Sequence, residues 1–183
     1  MNQKIKFARE TLRLTPNDIS SLLNISSYRY SFFEKASTDI PCDILLLLSK
    51  IYGLNPDLFI SNKYSTHDIL LIFEQQNFLL QSETTLEKLH SNLLHNDKAR
   101  LTYHSIKNEK KSLQDNIIRF IKAFIKLHNL SLYEFASTCN INKQSLSSIL
   151  SKGKFIETDE LIKISDYTQT PIADIVYGTT KIL

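Results

Sequence analysis

The first 60 residues carry apolar side chains at the three- and four-residue spacing that places them on one face of a helix. Ile5, Ala8 and Leu12 form the first such stripe. A second helix is predicted to begin at Pro16, because the Thr15 hydroxyl can cap the orphan amides of its first turn and proline has no amide hydrogen to leave unbonded. The pattern therefore predicts two successive helices at the start of the chain.

A tight turn and three further short elements are predicted to follow. Asn24 tolerates the left-handed conformation that ends a helix, Ile25 fills the turn with an apolar side chain, and Ser26 can cap the third helix. A fourth helix is predicted from Pro41 to Tyr52, and a last helical turn from Asn55 to Ile60. Two short helices joined by a three- or four-residue turn form a helix-turn-helix.

The same pattern recurs 116 residues further along the chain. The 45 aligned pairs from residue 5 to residue 49 contain 11 identities without a gap. The identical pairs are Ile5 and Ile121, Lys6 and Lys122, Leu14 and Leu130, Ser21 and Ser137, Asn24 and Asn140, Ile25 and Ile141, Ser31 and Ser147, Ile40 and Ile156, Asp43 and Asp159, Leu45 and Leu161, and Ser49 and Ser165. Hydrophobicity matches better than identity, as expected for two copies of one fold.

The second copy carries its own helix signals. Ser131 and Glu134 have the spacing of a capping box, in which each side chain bonds the other residue's backbone amide. Asn140 provides the turn, Ile141 the apolar plug and Asn142 the next cap. A second helix-turn-helix is therefore predicted.

The segments Leu14–Ser26 and Leu130–Asn142 resemble the Cro/C1 (Xre, lambda-repressor-like) helix-turn-helix transcriptional regulator family. The resemblance implies an all-α chain with two lambda-repressor-like five-helix domains joined by a helical connector. The domains would be 1–60 and 117–183, and the connector 61–116. It also implies a sequence-specific binder of double-stranded DNA that acts in the cytoplasm as a regulator of transcription, most simply a repressor and a homodimer.

The family commonly pairs an Arg on the first helix with a Glu at the end of the recognition helix. Arg9 and Glu34 occupy these positions in the first copy, whereas the second copy has Ile125 and Leu150. Replacing both members together avoids a stranded buried charge. We therefore expect an Arg9–Glu34 salt bridge and an Ile125–Leu150 contact.

The resemblance also assigns the residues that would meet DNA. The base-facing positions are Ser27, Tyr28, Arg29 and Phe32 in the first copy, and Lys143, Gln144, Ser145 and Ser148 in the second. The expected phosphate contacts are Lys35, Lys152 and Lys154. Gln can bond adenine through two hydrogen bonds, and Lys can reach guanine, so the second copy is expected to be the better reader.

The first copy departs from the family in ways that leave a second function open. The family's frequent Gln at the start of the second helix is replaced by Pro16 and, in the second copy, by Leu132, and its frequent Gly after the recognition helix is Ala36. Tyr28 and Phe32 could meet thymine methyl groups, another protein or the connector. The alternative is a protein-interaction module on the same fold, such as an antitoxin or a phage-encoded inhibitor of a host defence complex.

The connector contains no Gly and no Pro, unlike a flexible linker. An apolar stripe predicts a first helix through Ile69 and Phe73, and Leu79, Leu86 and Leu93 follow at a spacing of seven. This segment could form a helical hairpin packed on the domains or a homodimer seam. A protein partner could bind through it or through the first copy.

The composition of the chain is compatible with both candidate functions, DNA binding and protein interaction. The net charge of +3 in 183 residues permits nucleic acid as a partner but does not require it. Apolar runs are too short for a membrane span, no signal-peptide core follows Met1, and Cys42 and Cys139 are expected to be reduced core residues. The spacing of the histidines does not match a metal site. The sequence has no catalytic motif and no phosphate-binding loop, so we expect neither enzymatic activity nor a cofactor.

Overall fold

The protein is described by a computed structural model covering residues 1–35, 40–75 and 103–178, with side chains from 108 onward in the last segment. Helix accounts for 73% of these residues, and none of them lies in a strand. The all-α prediction is therefore confirmed.

The chain divides into two compact units. The N-terminal unit comprises Met1–Ile40 and Leu47–Ile106, and the C-terminal unit comprises Pro41–Leu46 and Lys107–Leu183. Two of the described helices, Cys42–Tyr52 and Tyr103–Leu127, therefore supply residues to both units.

The helices of the first half of the chain lie where the apolar spacing predicts them. They are α1 (Asn2–Thr11), α2 (Pro16–Leu23), α3 (Ser27–Glu34), α4 (Cys42–Tyr52), α5 (Asp57–Ile60) and α6 (Thr66–Gln75). Helix α1 packs against α3, α5 and α6, and α2 packs against α3. The core of the N-terminal unit includes Ile5, Ile19, Tyr30, Leu48 and Phe59, each of which is fully buried.

The C-terminal unit begins with a longer helix than the repeat predicts. Its elements are α7 (Tyr103–Leu127), α8 (Leu132–Thr138), α9 (Lys143–Leu150), α10 (Thr158–Thr168) and α11 (Ile172–Tyr177). The predicted boundary between 116 and 117 falls inside α7, because Leu113 is already buried beside Ile117 and Ile121 on one face of that helix. Asn116 links α7 to α11, because its Nδ2 donates a hydrogen bond to the carbonyl of Val176 at 3.0 Å.

Backbone landmarks recur at the offset of 116 residues. Each copy has a residue with positive φ after its first helix, at the helix-turn-helix turn and after its fourth helix. These residues are Arg13 and Asn129 (53° and 51°), Asn24 and Asn140 (52° and 52°), and Gly53 and Gln169 (64° and 52°). The left-handed conformation is uncommon for non-glycine residues, so three coincidences at one offset indicate two copies of the same local architecture.

The Arg9–Glu34 salt bridge is confirmed, with Nε and Oε1 2.6 Å apart and both side chains nearly buried. Ile125 and Leu150 are each half-buried, and their mutual contact stays a prediction. The cysteine prediction is also confirmed, since Cys42 and Cys139 are free and buried.

The first part of the connector, 61–75, packs within the N-terminal unit, whereas 107–116 belong to the C-terminal unit as part of α7. Ile69 and Phe73 of α6 are fully buried there, because their stripe faces α1. The spaced leucines Leu79, Leu86 and Leu93 lie outside the described residues, so the dimer seam stays a prediction. Within the described ranges no helix has the length and apolarity to cross a bilayer, and no cluster of three His, Cys, Asp or Glu side chains is placed to hold a metal ion.

Candidate nucleic-acid interface

The first helix-turn-helix consists of α2, a turn at Asn24 and α3. The Thr15 hydroxyl accepts a hydrogen bond from the Asp18 amide at 3.2 Å, and the Asp18 carboxylate accepts one from the Thr15 amide at 2.6 Å, so α2 begins with a capping box. The Ile25 amide donates to the carbonyl of Ser20 at 3.0 Å across the turn. The Ser26 hydroxyl then caps α3 by accepting a hydrogen bond from the Arg29 amide at 3.2 Å.

The second helix-turn-helix uses the same bonds with different side chains. Ser131 and Glu134 form the capping box of α8, and the hydrogen bonds from the Ser131 amide and hydroxyl lower the pKa of Glu134. The Ile141 amide donates to the carbonyl of Ala136 at 2.8 Å, the counterpart of the Ile25–Ser20 bond. Asn142 caps α9 by accepting from the amide of Gln144 at 2.8 Å.

The outer face of α3 presents two aromatic rings to solvent. Tyr28 is 79% exposed and Phe32 is 45% exposed, and their rings stack with centroids 6.4 Å apart and planes inclined by 23°. Tyr30 and Phe33 point into the core from the opposite face. The structure therefore places Tyr28 and Phe32 on the surface that the sequence assigns to the reading helix.

Two positively charged side chains lie on α3 or directly after it. The Arg29 guanidinium lies 5.8 Å from the centroid of the Phe33 ring, and Lys35 is exposed at the end of α3. Within the described ranges neither cation forms an ion pair, so both keep their charge available for an anion. Ser27 is exposed on the first turn of the same helix.

The outer face of α9 is polar at its start. Lys143 and Gln144 are both exposed, and the Lys143 ammonium lies 5.9 Å from the centroid of the exposed Tyr133 ring. A charge that is held loosely over an aromatic face remains accessible to a phosphate or a base edge. These two side chains are available for the contacts that the sequence assigns to them.

Ser145 and Ser148 are less accessible than the sequence predicts. Both are half-buried, and the Ser145 hydroxyl donates a short hydrogen bond to the Glu160 carboxylate on α10. The carbonyl of Ser148 accepts from the Gly153 amide at 2.8 Å, and a Cβ at Gly153 would lie 2.8 Å from the Ser148 hydroxyl oxygen. The chain after α9 thus folds back against its last turn.

Both lysines that follow α9 already have acidic partners. Lys152 lies 2.5 Å from Asp115 of α7, and Lys154 lies 3.1 Å from Glu157 and 3.3 Å from Glu160. A phosphate must compete with these carboxylates for either lysine. Sequence reasoning missed Asp115, Glu157 and Glu160 as partners, because both lysines lie in the loop after α9, where no helical periodicity relates them to these carboxylates.

Glu160 is the centre of this polar cluster. Burial raises the pKa of a carboxyl group, but hydrogen bonds from the Ser145 hydroxyl and the Glu157 amide, together with the positive charge of Lys154, outweigh it and lower the pKa of Glu160. The ionised carboxylate therefore links the first turn of α9, the following loop and the start of α10. The equivalent position in the first copy is Ile44, so this cluster belongs to the second copy alone.

Comparison with known proteins finds no matching family model, no matching curated protein and no matching solved structure. What α3 and α9 can bind must therefore follow from their own chemistry.

Proposed function

We propose that this chain is a sequence-specific double-stranded DNA-binding protein that regulates transcription, with lambda-repressor-like domains whose reading helices are α3 and α9. One observation carries the proposal. Two helix-turn-helix motifs 116 residues apart share the same turn conformation and the same bond across the turn, and each exposes the start of its second helix. That helix is the element that enters the major groove in proteins of this type.

The exposed side chains suit the edges of base pairs. Gln144 can bond adenine N6 and N7 together, and Lys143 and Arg29 can each bond guanine O6 and N7. A good two-bond contact of this kind discriminates by about 1–3 kcal/mol against the wrong base. A single chain would contact a bipartite site through two unlike helices, and an operator occupied in this way would be closed to polymerase.

The experiment is a selection from random duplex DNA with the full chain, followed by titration of the selected duplex. Lys143→Ala/Gln144→Ala and Tyr28→Ala/Arg29→Ala are expected to weaken specific binding by about tenfold or more, because each double variant removes at least one good base contact. Lys163→Ala, which removes an exposed charge from α10, is the matched control and is expected to bind normally.

Salt dependence provides an independent measurement. The logarithm of the binding constant is expected to fall with the logarithm of salt concentration by about 0.9 per phosphate contact. Lys35→Ala, which removes an expected phosphate contact, is expected to reduce that slope. Failure to enrich any duplex over the starting pool would contradict the proposed function.

A second candidate function is a protein-interaction module on the same fold. The exposed, stacked Tyr28 and Phe32 favour it, because large rings at a protein surface are typical of contact sites with other proteins. Such a complex would bury apolar surface and respond weakly to salt. Homodimerisation through the connector is a further proposal, which sedimentation of the full chain over a range of concentrations would test.

A further inference from the structure

The two reading helices carry different types of side chain at equivalent positions. Tyr28 and Phe32 are the second and sixth residues of α3, and Gln144 and Ser148 are the second and sixth residues of α9. The offset of 116 residues aligns these pairs, so the same two sites on the reading helix are aromatic in one copy and polar in the other.

The aromatic pair forms a continuous apolar strip along the outer face of α3. The two rings are nearly parallel, with centroids 6.4 Å apart, and the more exposed ring lies at the start of the helix, which goes deepest into a groove. Neither ring can distinguish bases by a two-bond contact. An apolar strip can instead recognise an apolar group on its partner.

The charges around the strip indicate an anionic partner. Arg29 lies between the two rings in sequence and Lys35 follows the helix, and neither forms an ion pair with a described residue. Exposed Ser26 and Ser27 add hydroxyl groups at the helix start. A partner that combines backbone anions with an apolar group in a groove is duplex DNA, whose major groove exposes the C5-methyl group of thymine.

We propose that α3 recognises thymine methyl groups through Tyr28 and Phe32, whereas α9 recognises hydrogen-bonding base edges through Lys143 and Gln144. This inference rests on the proposed function. The two halves of the bound site are then unlike: one half is defined by where thymine methyls lie, and the other by donors and acceptors. The protein would read an asymmetric site without needing two different folds.

Replacement of thymine by deoxyuridine tests this directly, because it removes the methyl group and keeps every hydrogen bond. The full chain first selects duplexes from a random pool, and each thymine of the selected duplex is then replaced singly. We expect a loss of affinity of about fourfold for each contacted methyl group, the value for burying one apolar carbon. The losses should cluster in one half of the site.

Two variants assign the effect to a helix. Tyr28→Ala should weaken binding and abolish the sensitivity to deoxyuridine at the thymine that Tyr28 contacts. The variant should fold normally, because the exposed ring supports no core packing. Gln144→Ala is the matched control, because it should weaken binding and leave the sensitivity unchanged. An unchanged melting temperature establishes that both variants fold.

The outcomes separate the inference from the proposed function. Deoxyuridine without effect on a duplex that binds specifically would overturn the inference and leave the function standing, as would sensitivity that Gln144→Ala abolishes and Tyr28→Ala does not. Normal DNA binding by Tyr28→Ala would likewise overturn the inference and favour a protein partner for α3. If no duplex is enriched, the proposed function itself fails.

Discussion

Arg9 and Glu34 form a two-pronged ion pair that joins the first helix to the end of the third. Nε of Arg9 lies 2.6 Å from Oε1 of Glu34, and Nη2 lies 2.8 Å from Oε2. Nη1 donates to the carbonyl of Leu14 at 2.7 Å, so the guanidinium also holds the chain that enters α2. The hydrogen bond that Arg9 donates to Glu34 is the main cause that raises the pKa of Arg9, and the arginine stays charged.

The second copy has Ile125 and Leu150 at the positions of this ion pair. Arg9→Ile or Glu34→Leu alone leaves one nearly buried charge without its partner, and each is expected to lower the free energy of unfolding by about 3–5 kcal/mol. The double variant installs the residues of the second copy and should recover most of that loss. Urea denaturation of the four proteins measures the coupling as a double-mutant cycle.

Lys6→Ile/Glu10→Leu is a comparison pair on the same helix: these residues form an exposed i, i+4 pair 3.9 Å apart, and Glu10 also lies 3.4 Å from the Arg9 guanidinium. Exposed pairs contribute little, so its single and double variants should differ by less than about 1 kcal/mol. Additive losses at Arg9 and Glu34 would show that the two positions do not act as one unit.

Local signals predict most of each copy. Thr15, Ser131, Asn24 and Asn140 indicate caps and turns through interactions with their own backbone neighbours, and the structure places them accordingly. Arg9 and Glu34 were predictable because both change together in the second copy. The contacts of the candidate site were harder to predict. The partner of Lys152 is Asp115, which lies 37 positions earlier, and no periodicity connects the two residues.

The early start of α7 also could not be predicted from the repeat. Its residues before 117 have no counterpart in the first copy, so the repeat carries no information about them. Gln114 donates to the carbonyl of Lys154 at 2.9 Å, and Leu113 is buried, which only the tertiary structure reveals. Self-similarity predicts what the two copies share. Asp115 lies before the second copy begins, and Glu160 replaces the apolar Ile44 within it, so the first copy predicts neither of these contacts around α9.

The left-handed turns can be tested by substitution. Asn24→Val and Asn140→Val each place a β-branched residue at a φ of 52°, and each should cost about 1–2 kcal/mol of stability. Asn24→Gly and Asn140→Gly are the matched controls and should be nearly neutral, because glycine adopts positive φ freely. Chemical denaturation monitored by circular dichroism provides the measurement, and equal losses for Gly and Val would contradict the assigned turn conformation.

Asp115 is expected to weaken DNA binding by holding Lys152. Its ion pair with Lys152, 2.5 Å long, is the leading cause that lowers the pKa of Asp115, so the carboxylate is charged at neutral pH and competes with phosphate. Asp115→Asn should tighten binding by at most about fivefold, the equivalent of an exposed pair, and should steepen the salt dependence.

Asp166→Asn removes one negative charge, as Asp115→Asn does, but from an exposed position on α10. It therefore controls for the change in the net charge of the protein. Fluorescence anisotropy of a labelled, selected duplex gives both the affinity and its salt slope. Equal tightening by the two variants would assign the effect to net charge and not to the release of Lys152.

The Glu160 cluster predicts how stability changes in acid. Because the pKa of Glu160 is lower in the folded chain than its ordinary value of 4.5, its contribution is fully present above about pH 4.5 and is lost as the pH falls through the folded-state pKa. The nearby Cys42 thiol takes no part, since burial raises its pKa to about 12 and it stays neutral. Glu160→Gln should be less stable than the parent at pH 7, and the difference should shrink steadily between pH 5 and pH 3.

Paired urea melts of the parent and Glu160→Gln at each pH isolate this contribution from the other carboxylates, including Glu134, whose pKa is also lowered. Ser145→Ala removes the hydroxyl donor and should give a smaller change in the same direction, because Lys154 and the Glu157 amide still favour the ionised carboxylate. A stability difference that stays constant from pH 7 to pH 3 would mean that Glu160 acts through packing and not through its charge.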